Sequence, residues 1–445
     1  MLFFKKISLS PPQILVMGFA LIILLGSVLL MLPISSTKGT TLPFVDALFT
    51  ATSATCVTGL VVRDTGTYFS TFGQVVIVML IQVGGLGFMT MATLFSLVLK
   101  RKISLRDRLL LQEAMNQNTM EGIVRLIRKV LMYSLVIESC AALIFAIRWS
   151  FDMPIGRALY YGVWHAVSMF NNAGFDLFGE YRSLTQYVAD PIVNFVAMFL
   201  IVSGGIGFIV LSDIIEFRRH RRFSLHSKVV LSMTSALILI GAIVIFIFEF
   251  TNPRTLEPLG WSGKIWSSFF QSVTPRTAGA NTLDIGALRQ ATQFFIIILM
   301  FIGASPSSTG GGIKTTTFTI LVGAVASMIR GRSDLVLFRY RLTQERIFKA
   351  ITLTMLSLFL VIAVAMVLST TEDASFLSIL FETTSAFGTV GLTMGLTGKL
   401  TVIGKIIISL TMFAGRLGPL TLAYALGPKK GKELYRHPEG KMIIG

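Results

Sequence analysis

The chain has 445 residues, of which 53% are hydrophobic and only 14% are charged, and its mean hydropathy is +0.75. This balance excludes an ordinary water-soluble domain, so we expect the bilayer to be the solvent for most of the chain. A formal net charge of +17 would suggest nucleic-acid binding in a soluble protein. Here the positive-inside rule accounts for the basic residues, and we expect no nucleic-acid partner.

Eight segments have about the 20 apolar residues that a helix needs to cross a hydrocarbon core of about 30 Å. The sixth is interrupted; the segments are Ile14–Leu32, Gln74–Leu99, Val130–Ile147, Pro191–Ser212, Val229–Phe248, Ala291–Met328, Ala350–Leu368 and Ile406–Gly427. The first is too long for a signal peptide and lacks an Ala-x-Ala site, so we expect it to be retained. Basic residues concentrate in alternate connections, which predicts that both termini are cytoplasmic and that some basic residues bind membrane lipid.

The connections on the opposite side each contain a short apolar stretch that ends in glycine. The four glycines, which are 115, 105 and 112 residues apart, are Gly59, Gly174, Gly279 and Gly391. Each stretch supplies about ten helical residues, enough to enter the membrane but not to cross it. Non-helical backbone at membrane depth is tolerated where a water-filled cavity satisfies it, so four such loops predict a shared aqueous path.

The predicted fold is therefore an all-α integral membrane protein. Four parallel helix–pore loop–helix repeats form a pseudo-fourfold cation pore within one chain. The predicted repeats cover residues 1–108, 109–224, 225–346 and 347–427, and a cytoplasmic tail covers residues 428–445.

The residues around the four glycines favour a filter for monovalent cations. Rings of backbone carbonyls can replace an ion's hydration shell, and glycine permits the tight turn that such a ring requires. Pore helices that run inward also direct their partly negative carboxyl ends toward the pore centre. The predicted filter residues are Thr55, Cys56, Val57, Thr58, Gly59, Asn171, Asn172, Ala173, Gly174, Pro275, Arg276, Thr277, Ala278, Gly279, Gly388, Thr389, Val390 and Gly391.

The second helices share a glycine pattern at Gly84–Phe88, Gly204–Phe208 and Gly415–Pro419. These glycines indicate either close packing of the helices or bends that open a cytoplasmic vestibule. The two cysteines, Cys56 and Cys140, are far apart in the chain and indicate neither a disulfide framework nor a metal cluster.

The sixth segment contains a glycine- and proline-rich stretch that cannot continue a helix and must face a cavity. It is not a nucleotide-binding P-loop, because Ile313 separates Gly312 from Lys314. Arg416, in the middle of the eighth segment, would cost at least roughly 2.5–3.5 kcal/mol facing lipid. We expect it to bond the carbonyls of this stretch and form a positive barrier; the alternative is a packing contact with a neighbouring helix carbonyl. The predicted gate comprises Gly303, Ala304, Ser305, Pro306, Ser307, Ser308, Thr309, Gly310, Gly311, Gly312, Lys314 and Arg416.

For Lys314 a snorkelling position at the cytoplasmic face is the preferred interpretation. Acidic residues follow three of the four glycines: Asp64, Asp176 and Asp284. They either concentrate cations at the pore mouth or, as the preferred interpretation, are solvated surface carboxylates.

Three further polar residues lie within predicted membrane segments or pore helices. Glu138 fits a helix or dimer interface, and Glu382 fits a role in bonding amides that support the filter. His165 is predicted to be a structural hydrogen-bonding residue, since no second histidine accompanies it.

The loop motifs Thr-x-Val-Thr-Gly-Leu (55–60), Phe-Asn-Asn-Ala-Gly-Phe (170–175), Thr-Pro-Arg-Thr-Ala-Gly (274–279) and Gly-Thr-Val-Gly-Leu (388–392) resemble the Ktr/Trk/HKT superfamily. From about residue 11 onward, the chain most resembles the membrane subunits of Ktr systems. The resemblance implies potassium translocation, with the ion bound by filter carbonyls alone, and an intramembrane loop at 303–312 that obstructs the pore. It also implies a homodimer on a cytosolic ring of KTN/RCK-type nucleotide-binding subunits in a bacterial plasma membrane. Sodium is a candidate activator, and no organic cofactor is expected in this chain.

Three functions compete on these residues. A gated, channel-like importer would be driven by the membrane potential, worth about 2.3 kcal/mol per charge per 100 mV. An obligatorily sodium-coupled symporter should show inverted repeats and matching broken helices, whereas the repeats here are parallel and one segment is strongly broken. A membrane enzyme should carry clustered catalytic side chains, which the sequence does not suggest. We therefore expect the importer and no enzymatic activity.

Overall fold

The computed structural model describes residues 10–87, 123–332 and 334–426, together with residues 90, 109, 111 and 112. The described part is mainly helical, with one antiparallel pair of short strands, β1 (Val336–Leu337) and β2 (Tyr340–Arg341), in which Val336 pairs with Arg341. Short 3-10 helices cover Pro33–Ser35, Thr185–Tyr187, Ile285–Ala287 and Thr397–Lys399.

In chain order the α-helices are α1 (Pro11–Met31), α2 (Phe44–Thr55), α3 (Thr65–Tyr68), α4 (Thr71–Leu86), α5 (Ile123–Trp149), α6 (Ile155–Phe170), α7 (Pro191–Gly205), α8 (Phe208–His220), α9 (Leu225–Glu249), α10 (Trp261–Val273), α11 (Gln290–Phe301), α12 (Thr315–Ile329), α13 (Gln344–Thr371), α14 (Phe376–Gly388), α15 (Val402–Leu417) and α16 (Pro419–Leu426).

One order of helices occurs four times. A long helix comes first (α1, α5, α9 and α13), and each of these four is long and apolar enough to cross a bilayer. A short helix of 12 to 16 residues follows (α2, α6, α10 and α14), which is too short to cross at 1.5 Å per residue. The chain then turns at a glycine and enters a third helix (α4, α7, α11 and α15).

The short helices lie in the interior and the long helices lie outside them. Each short helix has a fully buried phenylalanine: Phe49, Phe170, Phe270 and Phe387. Each long helix has a large apolar side chain that is more than half exposed: Leu21, Leu135, Ile243 and Phe359. Because exposed apolar faces of this length match the acyl chains of a bilayer, the described part has the burial pattern of a multi-pass membrane protein.

The sequence-based prediction of uninterrupted fourth and eighth segments is wrong. The chain bends by 104° between α7 and α8 and by 94° between α15 and α16. The residues at the bends, Gly207 and Gly418, have φ of +92° and +84°, a conformation that residues with a Cβ rarely adopt. Gly87 ends α4 in the same conformation, with φ of +85°, and most of the predicted continuation of that helix lies outside the described residues.

Earlier glycines in the same pattern allow close packing. A Cβ placed on Gly84, Gly204 or Gly415 would lie 1.8–1.9 Å from a backbone carbonyl oxygen of a short helix, that of Thr55, Phe170 or Phe387 respectively. Close packing is therefore present at all three motifs and a bend at the second and third, whereas the opening of a cytoplasmic vestibule stays a prediction.

The sixth segment is interrupted, as predicted. Helix α11 ends at Phe301 and α12 begins at Thr315. An isolated parallel bridge between Ile302 and Ile313 closes the base of the intervening loop. The amide of Thr315 also donates to the carbonyl of Ala304 at 3.3 Å, which fixes the return of the chain.

Candidate ion-conduction site

The four glycine loops, which follow the short helices and end at Gly59, Gly174, Gly279 and Gly391, share one backbone conformation. Each glycine has a positive φ, between +68° and +93°. The residue two positions earlier also has a positive φ, between +49° and +74°; these residues are Val57, Asn172, Thr277 and Thr389. The agreement over four separate segments indicates that one local geometry is built four times.

The amides of these loops are bonded back to the short helices. The residue before each glycine donates its amide to a carbonyl near the end of the preceding short helix at 2.8–2.9 Å: Thr58 to Ser53, Ala173 to Ser168, Ala278 to Thr274 and Val390 to Ser385. The amides of Gly59 and Gly391 donate to the hydroxyls of Ser53 and Ser385 at 3.1 Å. Among the described residues, none donates a hydrogen bond to the carbonyls of Thr58, Ala173, Ala278 or Val390.

The four loops adjoin one another in a closed ring. A Cβ on Gly59 would lie 2.4 Å from the carbonyl oxygen of Ala173 in the second loop. The next contacts continue the circuit, from Gly174 to Ala278, from Gly279 to Val390 and from Gly391 back to Thr58, at 2.1–2.3 Å. A side chain at any of the four positions would collide with the neighbouring loop, so the ring requires glycine.

The ring presents carbonyl oxygens that lack protein donors in an otherwise buried setting. Unpaired carbonyls at membrane depth are costly unless water or an ion satisfies them. Several such oxygens around one axis match the coordination of a dehydrated monovalent cation. The carboxyl ends of the four short helices, next to the loops, add partial negative charge.

The predicted filter residues are divided between the ring and a layer behind it. The glycine and the two residues before it form the ring in each loop. Thr55, Cys56, Asn171, Pro275, Arg276 and Gly388 precede those positions and are fully or almost fully buried. Of these, Cys56 is a buried free thiol, and Arg276 donates to the carbonyl of Thr234 at 3.3 Å.

The 303–312 loop packs against the bend between α7 and α8. The amides of Ser305 and Thr309 donate to the carbonyls of Gly205 and Gly204 at 2.9 and 3.3 Å. In return, the amide of Phe208 donates to the carbonyl of Ser307 at 2.8 Å. The bend at Gly207 thus creates the surface on which the loop lies.

The same loop touches the ring. The amide of Gly311 donates to the hydroxyl of Thr389 at 3.0 Å, and a Cβ on Gly310 would lie 2.0 Å from Oγ1 of Thr277. Thr277 and Thr389 are the positive-φ residues of the third and fourth glycine loops. The loop is therefore in direct contact with the ring.

Arg416 bonds the 303–312 loop, and also the end of α4. Its guanidinium donates to the carbonyl of Thr309 through Nη1 and to the carbonyls of Gly84 and Gly85 through Nη2. The two alternatives for this residue are both realised, since one end of the fork contacts the loop and the other a neighbouring helix.

The snorkelling position preferred for Lys314 is wrong. Its Nζ donates to the carbonyl of Gly310 at 2.6 Å, across the base of the loop. Lys314, Lys349 and Arg416 line a cavity of about 280 Å³ beside the loop, and none of the described residues that line it is acidic. The cavity wall is therefore electropositive.

The three acidic residues that follow the glycine loops differ in their exposure to solvent. Asp64 is 9% exposed and accepts from the amides of Thr67 and Tyr181 at 2.8 Å, so the preferred surface position is wrong for it. Asp284 is exposed and accepts from the amide of Gly286. Asp176 is partly buried, and burial raises the pKa of its carboxyl to about 7, with the Asp64 charge acting in the same direction.

Glu382 supports the fourth loop differently from the prediction. It accepts from the hydroxyls of Thr393 and Thr397, rather than from amides. His165, at the equivalent position in α6, contacts the carbonyl of Tyr161 through Nδ1 and accepts from the amide of Leu177 through Nε2. The predicted structural role of His165 is confirmed, and both side chains tie a short helix to the segment after its glycine.

Two polar clusters were missed in the sequence. Asp46, in the first turn of α2, accepts from Arg63 at 3.2 Å and from Lys405 at 2.7 Å. The signal was a carboxylate within a short apolar stretch. Gln82 bonds Glu138 of α5 at 3.2 Å, so Glu138 lies in a helix interface, which was one of its two alternatives.

Comparisons with known proteins agree on the family to which the chain belongs. The sequence profile of the TrkH family, described as a cation transport protein, matches residues 10–429. The chain is 49% identical over 441 residues to the Ktr system potassium uptake protein B of Bacillus subtilis, covering 99% of this chain and 98% of that protein.

Two further comparisons agree. The chain is 40% identical over 443 residues to the potassium/sodium uptake protein NtpJ of Enterococcus hirae, covering 98% of both proteins. The crystal structure of the potassium transporter TrkH from Vibrio parahaemolyticus has the same fold, with a TM-score of 0.71 at 17% identity over 95% of this chain and 86% of that one. The profile match and the extent of identity place the chain in the TrkH family of membrane cation transporters, which are not enzymes.

Proposed function

We propose that this protein conducts potassium across a bacterial plasma membrane through the ring formed by its four glycine loops. The observation that carries the proposal is the closed circuit of glycine-to-carbonyl contacts with carbonyls that accept no protein hydrogen bond. The four loops then act as the selectivity filter, with potassium bound by backbone carbonyls alone. The names of two relatives, both potassium uptake proteins, support potassium as the ion.

The 303–312 loop, Lys314 and Arg416 form the gate in this proposal. The loop contacts the filter residue Thr389, and Arg416 holds its carbonyl at Thr309. The adjoining cavity has three cationic side chains and no acidic one among its described lining residues. A potassium ion that leaves the filter on this side meets a positive potential and a packed loop, so conduction requires the loop to move.

Regulation would come from partners. The Bacillus subtilis relative is named as part of a Ktr system, which supports a membrane subunit that works with other components. We propose a homodimer seated on a cytosolic ring of KTN/RCK-type nucleotide-binding subunits, with both termini of this chain in the cytoplasm. The exposed basic residues after α8, Arg221 and Arg222, would then contact such a ring or acidic lipid headgroups.

Reconstitution into liposomes tests the proposal. Under an inside-negative membrane potential that is not set by potassium, uptake of potassium, rubidium, sodium and lithium is compared at equal protein content and equal external concentration. We expect potassium and rubidium to exceed sodium and lithium by at least about tenfold, a free-energy difference of about 1.4 kcal/mol. Equal flux of all four ions would contradict the filter assignment.

Sodium-coupled potassium symport is the second candidate, because one relative is named a potassium/sodium uptake protein. Potassium uptake with no sodium on either side of the liposome membrane separates the two mechanisms. The channel-like mechanism predicts uptake that persists and follows the membrane potential. Sodium would then act only as an activator, whereas an absolute sodium requirement with a fixed ion ratio would favour symport.

A further inference from the structure

Glu138 lies in the middle of α5 and is 7% exposed, in a position where an ionisable side chain is costly. The filter and gate described above do not use it. We propose that Glu138 is a positioning residue for ion selectivity, which fixes the second filter loop through Asn171 and Gln82. This inference rests on the proposed function of that loop as part of a filter.

The three side chains form a closed triangle of hydrogen bonds. Nδ2 of Asn171 donates to Oε1 of Gln82 at 2.7 Å and to Oε1 of Glu138 at 3.2 Å. Nε2 of Gln82 donates to Oε2 of Glu138 at 3.2 Å. The carboxylate therefore accepts from both amides, and each amide is held by the other two members.

Asn171 connects the triangle to the filter. It caps the carboxyl end of α6, and its amide nitrogen donates to the carbonyl of Val167 at 3.1 Å. The next residue, Asn172, has φ of +58° and begins the ring. The side chain of Asn172 lies 3.2 Å from Oγ1 of Thr277 in the third loop, in either orientation of its amide. A displacement of Asn171 would therefore also move residues of the second and third glycine loops.

The site leaves Asn171 little alternative space. A Cβ on Gly85 would lie 2.1 Å from Oδ1 of Asn171, so this oxygen occupies the space next to Gly85 that a side chain would need. That oxygen is buried and has no hydrogen-bond partner in the described part of the chain. The orientation of the side chain thus depends on its amide nitrogen, which also donates to the carbonyl of Val167 at 2.9 Å. Removing Glu138 would take one of three acceptors from this nitrogen and leave Nε2 of Gln82 without a hydrogen-bond partner among the described residues.

The equivalent residues of the other loops have no such support. Three residues before the glycine, the other loops have Cys56, Arg276 and Gly388. Arg276 donates to the carbonyl of Thr234, and among the described residues none of the three bonds a carboxylate. Among the four loops, the second is therefore the one in which the residue three positions before the glycine is bonded to a buried acid.

The test compares Glu138→Ala with Glu138→Gln in the full-length protein in liposomes. Measured as the ratio of rubidium to sodium uptake, selectivity should fall about tenfold in Glu138→Ala. Glu138→Gln preserves the shape and one of the two acceptor oxygens, so its ratio should fall clearly less than that of Glu138→Ala. Glu345→Ala, at an exposed glutamate of α13, is the matched control and should leave the ratio unchanged.

The ratio separates positioning from general destabilisation, because a smaller folded fraction lowers both fluxes equally. An unchanged ratio in Glu138→Ala overturns the inference. If that variant does not fold, Gln82→Leu decides in its place: it removes both bonds of Gln82, and a ratio equal to that of the wild type overturns the inference. A wild-type protein with no preference for rubidium over sodium would instead refute the proposed function itself.

Discussion

Gly84 of α4 lies against the carbonyl oxygen of Thr55, the last residue of the short helix that leads into the first glycine loop. A Cβ at Gly84 would be 1.8 Å from that oxygen, a distance no real contact shows. The same relationship recurs between Gly415 and Phe387. In three of the four helix groups, the third helix thus packs directly against the backbone at the end of the short helix.

Replacing Gly84 with alanine should therefore push α4 away from the first filter loop. We expect a loss of stability of about 1–3 kcal/mol, as for other overpacked cores. The measurement is the melting temperature of the detergent-solubilised protein by fluorescence-detected size exclusion. Gly398→Ala is the control, because no atom lies within 4 Å of the Cβ it adds. Equal melting temperatures for the two variants would refute this packing argument.

A serine at Gly59 should reduce selectivity for potassium. Gly59 has φ of +93°, and a Cβ there would lie 2.4 Å from the carbonyl oxygen of Ala173, so the ring must widen or turn. We expect the ratio of potassium to sodium uptake to fall about tenfold. Gly39→Ser tests the effect of backbone strain alone, since Gly39 has φ of +66° with no atom within 4 Å. A selectivity loss of similar size in Gly39→Ser would weaken the assignment.

Potassium uptake should depend on external pH through Asp176. Because the pKa of this carboxyl is raised to about 7, it is mostly neutral at pH 6 and mostly charged at pH 8. A negative charge just beyond the filter attracts cations, so uptake at low external potassium should rise with pH. The expected gain is about twofold, the effect of one charge roughly 8 Å away in water.

Asp176→Asn should abolish this pH dependence and hold uptake near the low-pH level. The check is rubidium uptake into liposomes whose external pH is varied at constant internal pH. A variant with the same rise between pH 6 and pH 8 as the wild type would exclude Asp176 as the titrating group.

The sequence predicted the broad arrangement of helices because that arrangement depends on residue patterns within short segments of the chain. Runs of apolar residues mark the long helices, and the glycine at the end of each short stretch marks the turn. The interruption of the sixth segment could also be predicted, since its glycines and proline cannot continue a helix. The contact from Arg416 to the 303–312 loop followed from the cost of an unpaired cation in a membrane.

What the sequence could not predict depends on contacts between distant residues. The bends at Gly207 and Gly418 were predicted only as an alternative to close packing, because hydropathy remains high through them and only the backbone angle distinguishes the two. Lys314 was misplaced because its acceptor, the carbonyl of Gly310, becomes available only when the loop folds back. The partners of Glu138, Gln82 in α4 and Asn171 at the end of α6, come from two other helices, so no local pattern identifies them.

The hydroxyl of Thr389 should help to hold the gate, because it accepts from the amide of Gly311 at 3.0 Å. Thr389→Val keeps the shape of the side chain but removes the acceptor, at a cost of about 0.5–1.5 kcal/mol to the closed position. We expect basal potassium flux to rise several-fold, while Thr389→Ser remains close to the wild type. Equal basal flux in the valine and serine variants would show that this bond does not hold the loop.

The guanidinium of Arg416 and the 303–312 loop should behave as one barrier. Arg416→Gln or Arg416→Ser removes the bond to Thr309 and a positive charge beside the cavity, so basal potassium flux should increase. Deleting about half of residues 304–311 should increase flux as well and make it less dependent on any cytosolic partner, because the obstructing backbone is shortened.

Combining the arginine substitution with the deletion should add little, since residues in direct contact share their energetic effects. The measurement is rubidium uptake by the wild type, the two single variants and the double variant in liposomes without partner subunits. If the logarithms of the two increases simply add in the double variant, the arginine and the loop are separate barriers. If the deletion instead lowers flux in a protein that assembles normally, the loop supports the pore rather than closing it. Either result would leave the glycine ring intact as the candidate filter, because its carbonyls and close contacts do not involve Arg416.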